Sequence, residues 1–361
     1  MGLPERRGER ELAALLELRS LPGIGEVSLR ALLARHGTAE AALDAPAAEL
    51  GEQAAAERGS PRVRGRVARS LEVLRRIDAV VIREGDAAYP ASLLELHDPP
   101  VVLFALGRLD LLERTAVAVV GSRHPTTYGL EATHALARDL ARAGIVVVSG
   151  MARGIDAAAH EAALEGGTIG VLGCGLDVVY PHEQARLYRA VEANGLLLSE
   201  FAPGEPALRH HFPRRNRIIA ALARGVLVVE ASERSGALIT VDHALDLGRE
   251  VFAVPGPIGR ATSAGTNAMI QQGAKLVTCG ADILEELGLA APAEAEGEPR
   301  PPVDVSPAAL QVWRALGPEP RHADELGAVC GFAPAVVLAC ALELELAGHA
   351  RQLPGKLFVR G

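Results

Sequence analysis

Short apolar runs without polar alternation fill the middle of the chain, between residues 79 and 289, and they constrain its fold most strongly. Strands that are apolar on both sides are buried on both faces, as in parallel sheets covered by helices. Helical stretches separate the runs, which predicts an α/β domain with an extended Rossmann-like, doubly wound, mostly parallel sheet. The predicted strands are Val80–Ile82, Val117–Val120, Ile145–Val148, Ile169–Leu172, Leu196–Leu198, Val226–Val229, Val251–Val254 and Leu276–Val277.

Residues 1–78 show helical periodicity instead. The leucines that would share a face are Leu12, Leu15 and Leu16 in one helix and Leu29, Leu32 and Leu33 in the next. The segment LPGIG at 21–25 joins these helices through a tight glycine turn. We expect an all-α N-terminal domain of the helix-hairpin-helix or SAM-like kind.

The last predicted helix of this domain has a basic side. Between residues 60 and 76 the only acid is Glu72, and it is outnumbered by six arginines, Arg62, Arg64, Arg66, Arg69, Arg75 and Arg76. Two interpretations remain open. The glycine turn and these arginines could add contacts to DNA, or the domain could be a helical protein-interaction module that merely uses a glycine turn.

A linker and a small domain are predicted at the C-terminal end. Residues 290–302 are rich in Ala, Pro and Glu without periodicity, which is typical of a flexible linker. In 303–361 three helices precede a hairpin-like tail, the order of a winged helix. These helices are Pro307–Leu316, Ala323–Cys330 and Pro334–Leu346. The third carries Glu343 and Glu345 and no Lys or Arg, which favours protein contact over base contact.

Composition limits the classes of function. The formal net charge of −8 means that any nucleic-acid binding must rest on local basic patches. No apolar run approaches the roughly 18 residues of a membrane span, and the N-terminus lacks the apolar core of a signal peptide. The four cysteines form no metal-binding pattern. We expect a cytoplasmic protein with no membrane contact, no metal and no cofactor.

Small polar turns follow several of the predicted strands. The carboxyl ends of parallel strands meet at one edge of the sheet, and backbone amides at helix starts bind phosphate there. The predicted binding residues of these turns are Gly121, Ser122 and Arg123, then Ser149, Gly150 and Gly154, and then Ser235 and Gly236. The first turn is not GxGxxG, which disfavours a dinucleotide site.

The segment 209–219 is the clearest candidate for contact with a nucleic-acid strand. Between 203 and 225, five arginines stand against one acid, Glu205. Guanidinium groups hold phosphates, an aromatic ring stacks on a base, and an amide bonds a base edge. The predicted binding residues are Phe212, Arg214, Arg215, Asn216 and Arg217.

Residues for bond-breaking chemistry are not evident. No Ser or Cys is placed by a known motif against a His, and no Walker lysine is present. His182-Glu183 lacks the second His of HExxH. The pattern predicts a site that holds phosphate, with no catalytic residue.

The ordered motifs resemble the DNA-processing protein A family, also called DprA or Smf, in its long form. The motifs are GSRHPTTYG (121–129), SGMARGIDAAAH (149–160), GCGLDVVYP (173–181), FPRRNRII (212–219), SGALIT (235–240) and AVPG (253–256). The resemblance implies a homodimer that binds single-stranded DNA without sequence preference. It further implies protection of incoming DNA in natural transformation and help in loading the RecA recombinase. By position, Gly121, Ser122 and Arg123 would hold a phosphate, and Arg214, Arg215 and Asn216 would complete the groove.

The sequence supports two alternative functions less well. Phosphoribohydrolases share the topology but carry a PGGxGTxxE loop whose Glu serves the chemistry. Here the stretch 255–259 lacks the double glycine, and no acid follows before Asp282. A sequence-specific regulator that reads DNA through its winged helix is disfavoured by the acidity of that helix.

Overall fold

The computed structural model describes residues 3–289, 305–317, 319–353 and 355–360. The chain divides into two compact units, Met1–Pro292 and Ala293–Gly361. The predicted linker at 290–302 lies outside the described residues.

Six helices precede the sheet, as the helical periodicity predicted. They are α1 (Leu3–Ser20), α2 (Glu26–His36), α3 (Ala39–Leu43), α4 (Ala47–Leu50), α5 (Glu52–Glu57) and α6 (Pro61–Arg76). Leu15, Leu16, Leu29 and Leu32 are buried, which confirms the predicted helix faces. The residues that begin α6 explain its start, because Ser60 accepts a hydrogen bond from the amide of Val63 and Pro61 opens the first turn.

Nine strands form the central sheet. They are β1 (Val80–Arg83), β2 (Val102–Gly107), β3 (Ala116–Gly121), β4 (Val146–Ser149), β5 (Thr168–Val171), β6 (Leu196–Ser199), β7 (Gly225–Val229), β8 (Glu250–Ala253) and β9 (Lys275–Leu276). Their spatial order is β1-β2-β6-β5-β4-β3-β7-β8-β9, and all neighbours from β6 to β9 are parallel. The predicted fold class is confirmed, but the predicted strands omitted β2. It pairs antiparallel with both β1 and β6, so the sheet is mixed at this edge.

Helices cover both faces of the sheet. They are α7 (Thr127–Arg142), α8 (Ile155–Ala163), α9 (Ala185–Asn194), α10 (His211–Leu222), α11 (Ala237–Asp246), α12 (Ala261–Gln271) and α13 (Gly280–Glu286), with short 3-10 helices at Ala91–Glu95, Leu109–Glu113 and His182–Gln184. Alternate side chains of β3 enter different cores: Ala118 packs in the cluster that includes α10 and α11, and Val119 in the one that includes α7 and α8. Burial on both faces is why the strands lack polar alternation.

The direction of winding reverses beside β3. Strands β4, β5 and β6 follow it on one side, and β7, β8 and β9 lie on the other. β3 and β7 are neighbours, with Gly121 opposite Val229 at their carboxyl ends. Such a switch point opens a crevice between the loops that leave the two strands, and ligands of doubly wound sheets bind there.

The N-terminal helices share a core with the sheet. Leu18 and Leu29 belong to the same buried cluster as Phe104 of β2 and Leu197 of β6. The compact unit therefore includes both regions, and the predicted division at residues 78 and 79 separates two kinds of secondary structure within it. The exact domain boundaries stay a prediction.

The second unit contains three helices and a three-stranded sheet. These are α14 (Pro307–Ala315), α15 (Ala323–Cys330), α16 (Pro334–Leu346), β10 (Arg321–His322), β11 (Ala350–Leu353) and β12 (Leu357–Arg360), with strand order β10-β12-β11. This is the predicted winged helix. No single helix of the described residues is long and apolar enough to cross a bilayer, and α15 with α16 reaches that length only as a pair bent by 104°.

Candidate nucleic-acid interface

A cavity of about 790 Å³ opens at the switch point. We call it the strand-end pocket. It is lined by Val120, Gly121, Ser122, Arg123, His124, Ala152, Asp156, Tyr180, Arg209, Phe212, Pro213, Arg215, Asn216, Ile219, Ser232, Ser235, Gly236, Ala237, Ile239, Thr240, Ala261 and Thr262. Eight of the thirteen predicted site residues are among them, so the sheet brings most of the predicted set together. The other five are Ser149, Gly150, Gly154, Arg214 and Arg217.

Glycine is required where β3 ends. A Cβ on Gly121 would collide with the carbonyl oxygen of Val229, because β3 and β7 approach closely at this point. Ser122 then turns the chain, and its hydroxyl accepts a hydrogen bond from the amide of His124 at 3.1 Å. Gly154 has a φ of +80° and lies against the carbonyl of Ser122, so the loops after β3 and β4 pack together. Gly154 thus supports the pocket from outside its lining.

Ser149 and Gly150 also support the pocket and do not line it. Ser149 is buried and donates its hydroxyl hydrogen to the carbonyl of Val119 at 2.6 Å, which ties β4 to β3. A Cβ on Gly150 would lie 2.6 Å from a guanidinium nitrogen of Arg215. The glycine therefore makes room for that arginine.

Arg215 lines the pocket from a buried position. Its guanidinium donates to the carbonyls of Gly150, at 2.7 Å, and Val171, so its hydrogen-bonding capacity is partly used by the carboxyl ends of two strands. Burial lowers the pKa of Arg215 to about 10, although the charge of Asp156 opposes that shift. The side chain is 4% exposed, so it supplies positive charge to the pocket without forming an open phosphate clamp.

Asp156 is the acid among the lining residues of the pocket, and its carboxylate holds the turn before α8 in place. One carboxylate oxygen accepts hydrogen bonds from the amides of Gly150, at 3.1 Å, and Ala152, at 3.3 Å. Burial raises the pKa of Asp156, and the positive charge of Arg215 counteracts that rise. The N-terminal cap position of α8 belongs to Gly154, and Asp156 lies in the first turn of that helix. Asp156 therefore organises the turn that precedes the helix.

Two exposed arginines stand at the mouth of the pocket. Arg123 and Arg209 form no hydrogen bond or ion pair with any residue in the described part of the chain. Phe212 lies between Arg123, whose guanidinium carbon is 5.8 Å from the ring centroid, and Tyr180, whose ring centroid is 5.4 Å away. Free guanidinium groups next to two aromatic rings can hold a phosphate and stack a base.

Arg214 and Arg217 are not among the lining residues of the pocket and pair with acids instead, so their predicted contact with DNA stays a prediction. Arg217 is 4% exposed and bonds the buried carboxylate of Glu200 at 2.8 Å. It also bonds Asp98 at 3.0 Å. Arg214 lies 3.0 Å from Glu200 and 3.1 Å from Glu26 of α2. On a helix, positions 214 and 217 share one face and 212, 215 and 216 another, so adjacent arginines serve different surfaces.

One wall of the pocket is formed by the residues at which α11 begins. Ser235 accepts a hydrogen bond from the amide of Ala237 at 3.3 Å, and Gly236 is the residue before the helix. Asn216 of α10 donates to the carbonyl of Gly236 at 3.5 Å, which closes this side. The predicted residues Asn216, Ser235 and Gly236 thus meet in one corner of the pocket.

Sequence reasoning left several lining residues out of the site. Arg209 lies in the basic segment but is not among the predicted binding residues, and neither is Tyr180, which belongs to the motif GCGLDVVYP. Tyr180 lies in the loop between β5 and the 3-10 helix His182–Gln184, and Arg209 lies two residues before α10, so a position close to a helix start was the available signal. Nothing in the sequence pointed to Glu26 and Glu200, the partners of Arg214, because the tertiary fold creates these contacts: Glu26 is 188 residues away in the chain and Glu200 is 14 residues away.

Comparison with known proteins identifies the family. The family model for DNA recombination-mediator protein A matches residues 80–288, and that for the DprA winged helix domain matches residues 296–356. The Putative DNA processing protein DprA of Mycobacterium tuberculosis is 40% identical over 347 residues, which cover 91% of this chain and 89% of the relative.

Two further proteins are similar in sequence or structure. DNA processing protein DprA of Streptococcus pneumoniae is 51% identical over 203 residues, 56% of this chain and 72% of the relative. An X-ray structure of DprA from that organism has a TM-score of 0.63 at 39% identity and covers 75% of this chain and 95% of the solved one. A structure of DNA processing protein A from Helicobacter pylori, which concerns that protein's single-stranded DNA binding mode, has a TM-score of 0.55 at 31% identity. It covers 58% of this chain and 96% of the solved one.

The family match extends over more than half of the chain, the matched region contains the whole sheet and the strand-end pocket, and the second unit matches the family's winged helix domain. This chain therefore belongs to the DNA recombination-mediator protein A family, known as DprA or Smf.

Proposed function

We propose that this protein binds single-stranded DNA without sequence preference in the strand-end pocket. One observation carries the proposal: Arg123 and Arg209 stand unpaired among the described residues at the mouth of a pocket that also exposes Tyr180 and Phe212. Guanidinium groups recognise the backbone, and aromatic rings stack on any base, so this combination favours single strands over duplexes, whose bases are already stacked.

The acids near the pocket support binding over catalysis. Asp156 accepts two backbone hydrogen bonds. Glu230, at the end of β7, is buried and accepts hydrogen bonds from the amide of Thr126, at 2.7 Å, and from its hydroxyl, so it stabilises the start of α7. A general acid or base must reach a reacting group, and these carboxylates are turned to the protein backbone. This argues against the phosphoribohydrolase alternative.

The family membership supports the wider role. We propose that the protein acts as a homodimer in the bacterial cytoplasm, protects incoming DNA during natural transformation and helps to load the RecA recombinase. The structure of the Helicobacter relative concerns single-stranded DNA binding, which supports single-stranded DNA as the ligand in this proposal. Loading can be tested by adding the protein to RecA on strands coated with single-strand-binding protein, where strand exchange is expected to accelerate. An unchanged rate would refute this part.

The test of binding uses fluorescence anisotropy with single-stranded and double-stranded oligonucleotides of equal length and several base compositions. We expect tighter binding of the single strands, with similar affinities across compositions. The logarithm of affinity should fall linearly with the logarithm of salt concentration, with a slope of roughly −2 to −3.5 if three to five phosphates are contacted. Tighter binding of the duplex would refute the proposal.

A further inference from the structure

The helix α6 presents a row of unpaired arginines on the surface of an acidic protein. Arg62, Arg66, Arg69 and Arg76 are exposed and form no hydrogen bond or ion pair with any described residue. We call these four residues the arginine stripe. At 100° per residue they fall within about 80° around the helix, and Val63, Val67, Ser70 and Leu74 occupy the buried side.

The other two arginines of α6 have local partners. Arg64 donates to the carbonyl of Gly59 at 2.5 Å, and Arg75 pairs with Glu9. They lie on a different side of the helix from the stripe. Glu72 is the acid of α6, so the stripe retains a clear excess of positive charge although the whole chain carries −8. Unpaired guanidinium groups that repel one another cost stability unless a polyanion neutralises them.

The stripe is connected to the strand-end pocket through the segment that follows β6. Ser70, on the buried side of α6, donates its hydroxyl hydrogen to the carbonyl of Pro203 at 3.0 Å. From Pro203 the chain runs to Arg209, which lines the pocket, and then enters α10. Helix α6 is therefore packed against the same segment of the chain that supplies Arg209 to the pocket.

We propose that the arginine stripe is a second binding surface for the phosphate backbone of the same DNA strand. The proposal rests on the proposed function of the strand-end pocket. From Arg62 to Arg76 the stripe measures about 21 Å along the helix, which accommodates several nucleotides. None of the exposed large apolar residues lies on α6, and the one apolar side chain on the same side as the stripe, Val73, is only partly exposed. Protein and membrane contacts use clusters of exposed apolar anchors, and this face offers no such cluster.

The test compares Arg66→Gln/Arg69→Gln with a charge-matched control, Arg138→Gln/Arg142→Gln. The control arginines are exposed on α7 and also form no hydrogen bond or ion pair within the described chain. Anisotropy titrations over a range of salt concentrations use an oligothymidylate of about five nucleotides, which fills the pocket, and one of about 40, which extends beyond it. Thermal melting checks that both variants remain folded.

We expect the stripe variant to bind the short strand as the wild type does and the long strand at least fivefold more weakly. Two lost phosphate contacts should reduce the steepness of the salt dependence on the long strand by about 1.4, at roughly 0.7 per phosphate. An unchanged slope on the long strand, or an equal loss in the control, would overturn the proposal and leave the stripe to another polyanion such as an acidic protein. If the wild type binds neither strand, the proposed function itself is refuted, and the second binding surface that rests on it is refuted with it.

Discussion

The guanidinium of Arg214 lies 3.1 Å from the carboxylate of Glu26, so the helix that lines the strand-end pocket is joined to the first turn of α2. Arg19 of α1 pairs with the same carboxylate and donates to the carbonyl of Glu200 at 2.7 Å. The turn 21–25 therefore serves to bring Glu26 against α10. The N-terminal helices hold the back of α10 while its front faces the pocket.

Neutralising Glu26 should loosen this connection. In Glu26→Gln the guanidinium groups of Arg19 and Arg214 lose their shared charge partner, and the Glu26 side chain is only 7% exposed. We expect the free energy of unfolding to fall by roughly 3 kcal/mol, the lower end for a broken buried pair, because Arg214 is one-third exposed. Urea denaturation measures the change.

The control is Glu49→Gln, which breaks more exposed pairs with Arg35 and His36 and should lower the free energy of unfolding by less than about 1 kcal/mol. Equal losses in the two variants would contradict the special role of Glu26.

Arg123 should contribute to DNA affinity without contributing to stability. It is exposed and has no hydrogen-bonding or ionic partner among the described residues. A charge-assisted phosphate contact is worth about 1.5–3 kcal/mol, so Arg123→Ala should weaken single-strand binding about tenfold or more. The melting temperature should not change, and Arg138→Ala is the matched control. Wild-type affinity in Arg123→Ala would remove this residue from the site.

Acid should destabilise the protein through His160. Thr168 donates its hydroxyl hydrogen to the carbonyl of Val147, so Nδ1 of His160 donates to Thr168 at 2.7 Å and Nε2 stays unprotonated. Burial, with a contribution from the charge of Arg215, lowers the pKa of His160 to about 3 from an ordinary value of 6.5. Because the unfolded chain binds the proton more tightly, stability is full above pH 6.5 and is lost as the pH falls toward 3.

His160→Gln should reduce that pH dependence. Gln can still donate to Thr168 but does not titrate. Below pH 6.5 the slope of unfolding free energy against pH should become shallower by up to about 1.4 kcal/mol per pH unit, which corresponds to one proton. Urea midpoints at a series of pH values measure it. Parallel curves for the variant and the wild type would show that another group is responsible.

Removing residues 303–361 should leave single-strand affinity nearly intact. This segment carries five basic residues against six acids, Asp304, Glu319, Asp324, Glu325, Glu343 and Glu345, so it offers no net attraction to phosphate. The pocket lies wholly in the first unit. Anisotropy with full-length and truncated protein measures the effect, and we expect a difference only in the recombinase-loading assay. A large loss of DNA affinity in the truncated protein would contradict the expectation that the first unit alone binds the strand.

The helix α16 refines what the sequence suggested about that segment. Val337 and Leu344 are in the core, whereas Leu342 and Leu346 are 56% and 82% exposed. Glu343 accepts hydrogen bonds from the amide and hydroxyl of Ser306. Glu345 accepts one from the amide of Gln352 at 3.0 Å. Both acids thus form hydrogen bonds within the domain, and Leu342 and Leu346 are among its exposed apolar residues.

The α/β fold could be predicted from the sequence because burial on both faces leaves an unbroken apolar signature in most of the parallel strands. The residues of β2 carry the same signature, but the pattern does not record strand direction. The antiparallel pairing of β2 with β6 depends on how the chain re-enters the sheet. The turns of the pocket were also predictable, since Gly121 and Gly154 are required by close contacts there.

The roles of the arginines could not be predicted from the sequence. Arg214, Arg215 and Arg217 are nearly adjacent and chemically identical, yet each has its own surroundings. Arg215 bonds carbonyls 65 and 44 residues away, and Arg214 meets a carboxylate 188 residues away. Such partners are brought together only by the tertiary fold, so a count of basic residues overestimates the number that are free to bind DNA.

Photo-crosslinking tests the central claim, that the strand-end pocket holds the DNA strand, most directly. Single strands substituted with bromodeoxyuridine are bound to the wild-type protein, irradiated, digested and analysed by mass spectrometry, since this base crosslinks to aromatic rings on which it stacks. We predict adducts on Phe212 or Tyr180, abolished by excess unlabelled single strand. Adducts found only in the winged helix unit, with none on these two residues, would contradict the account.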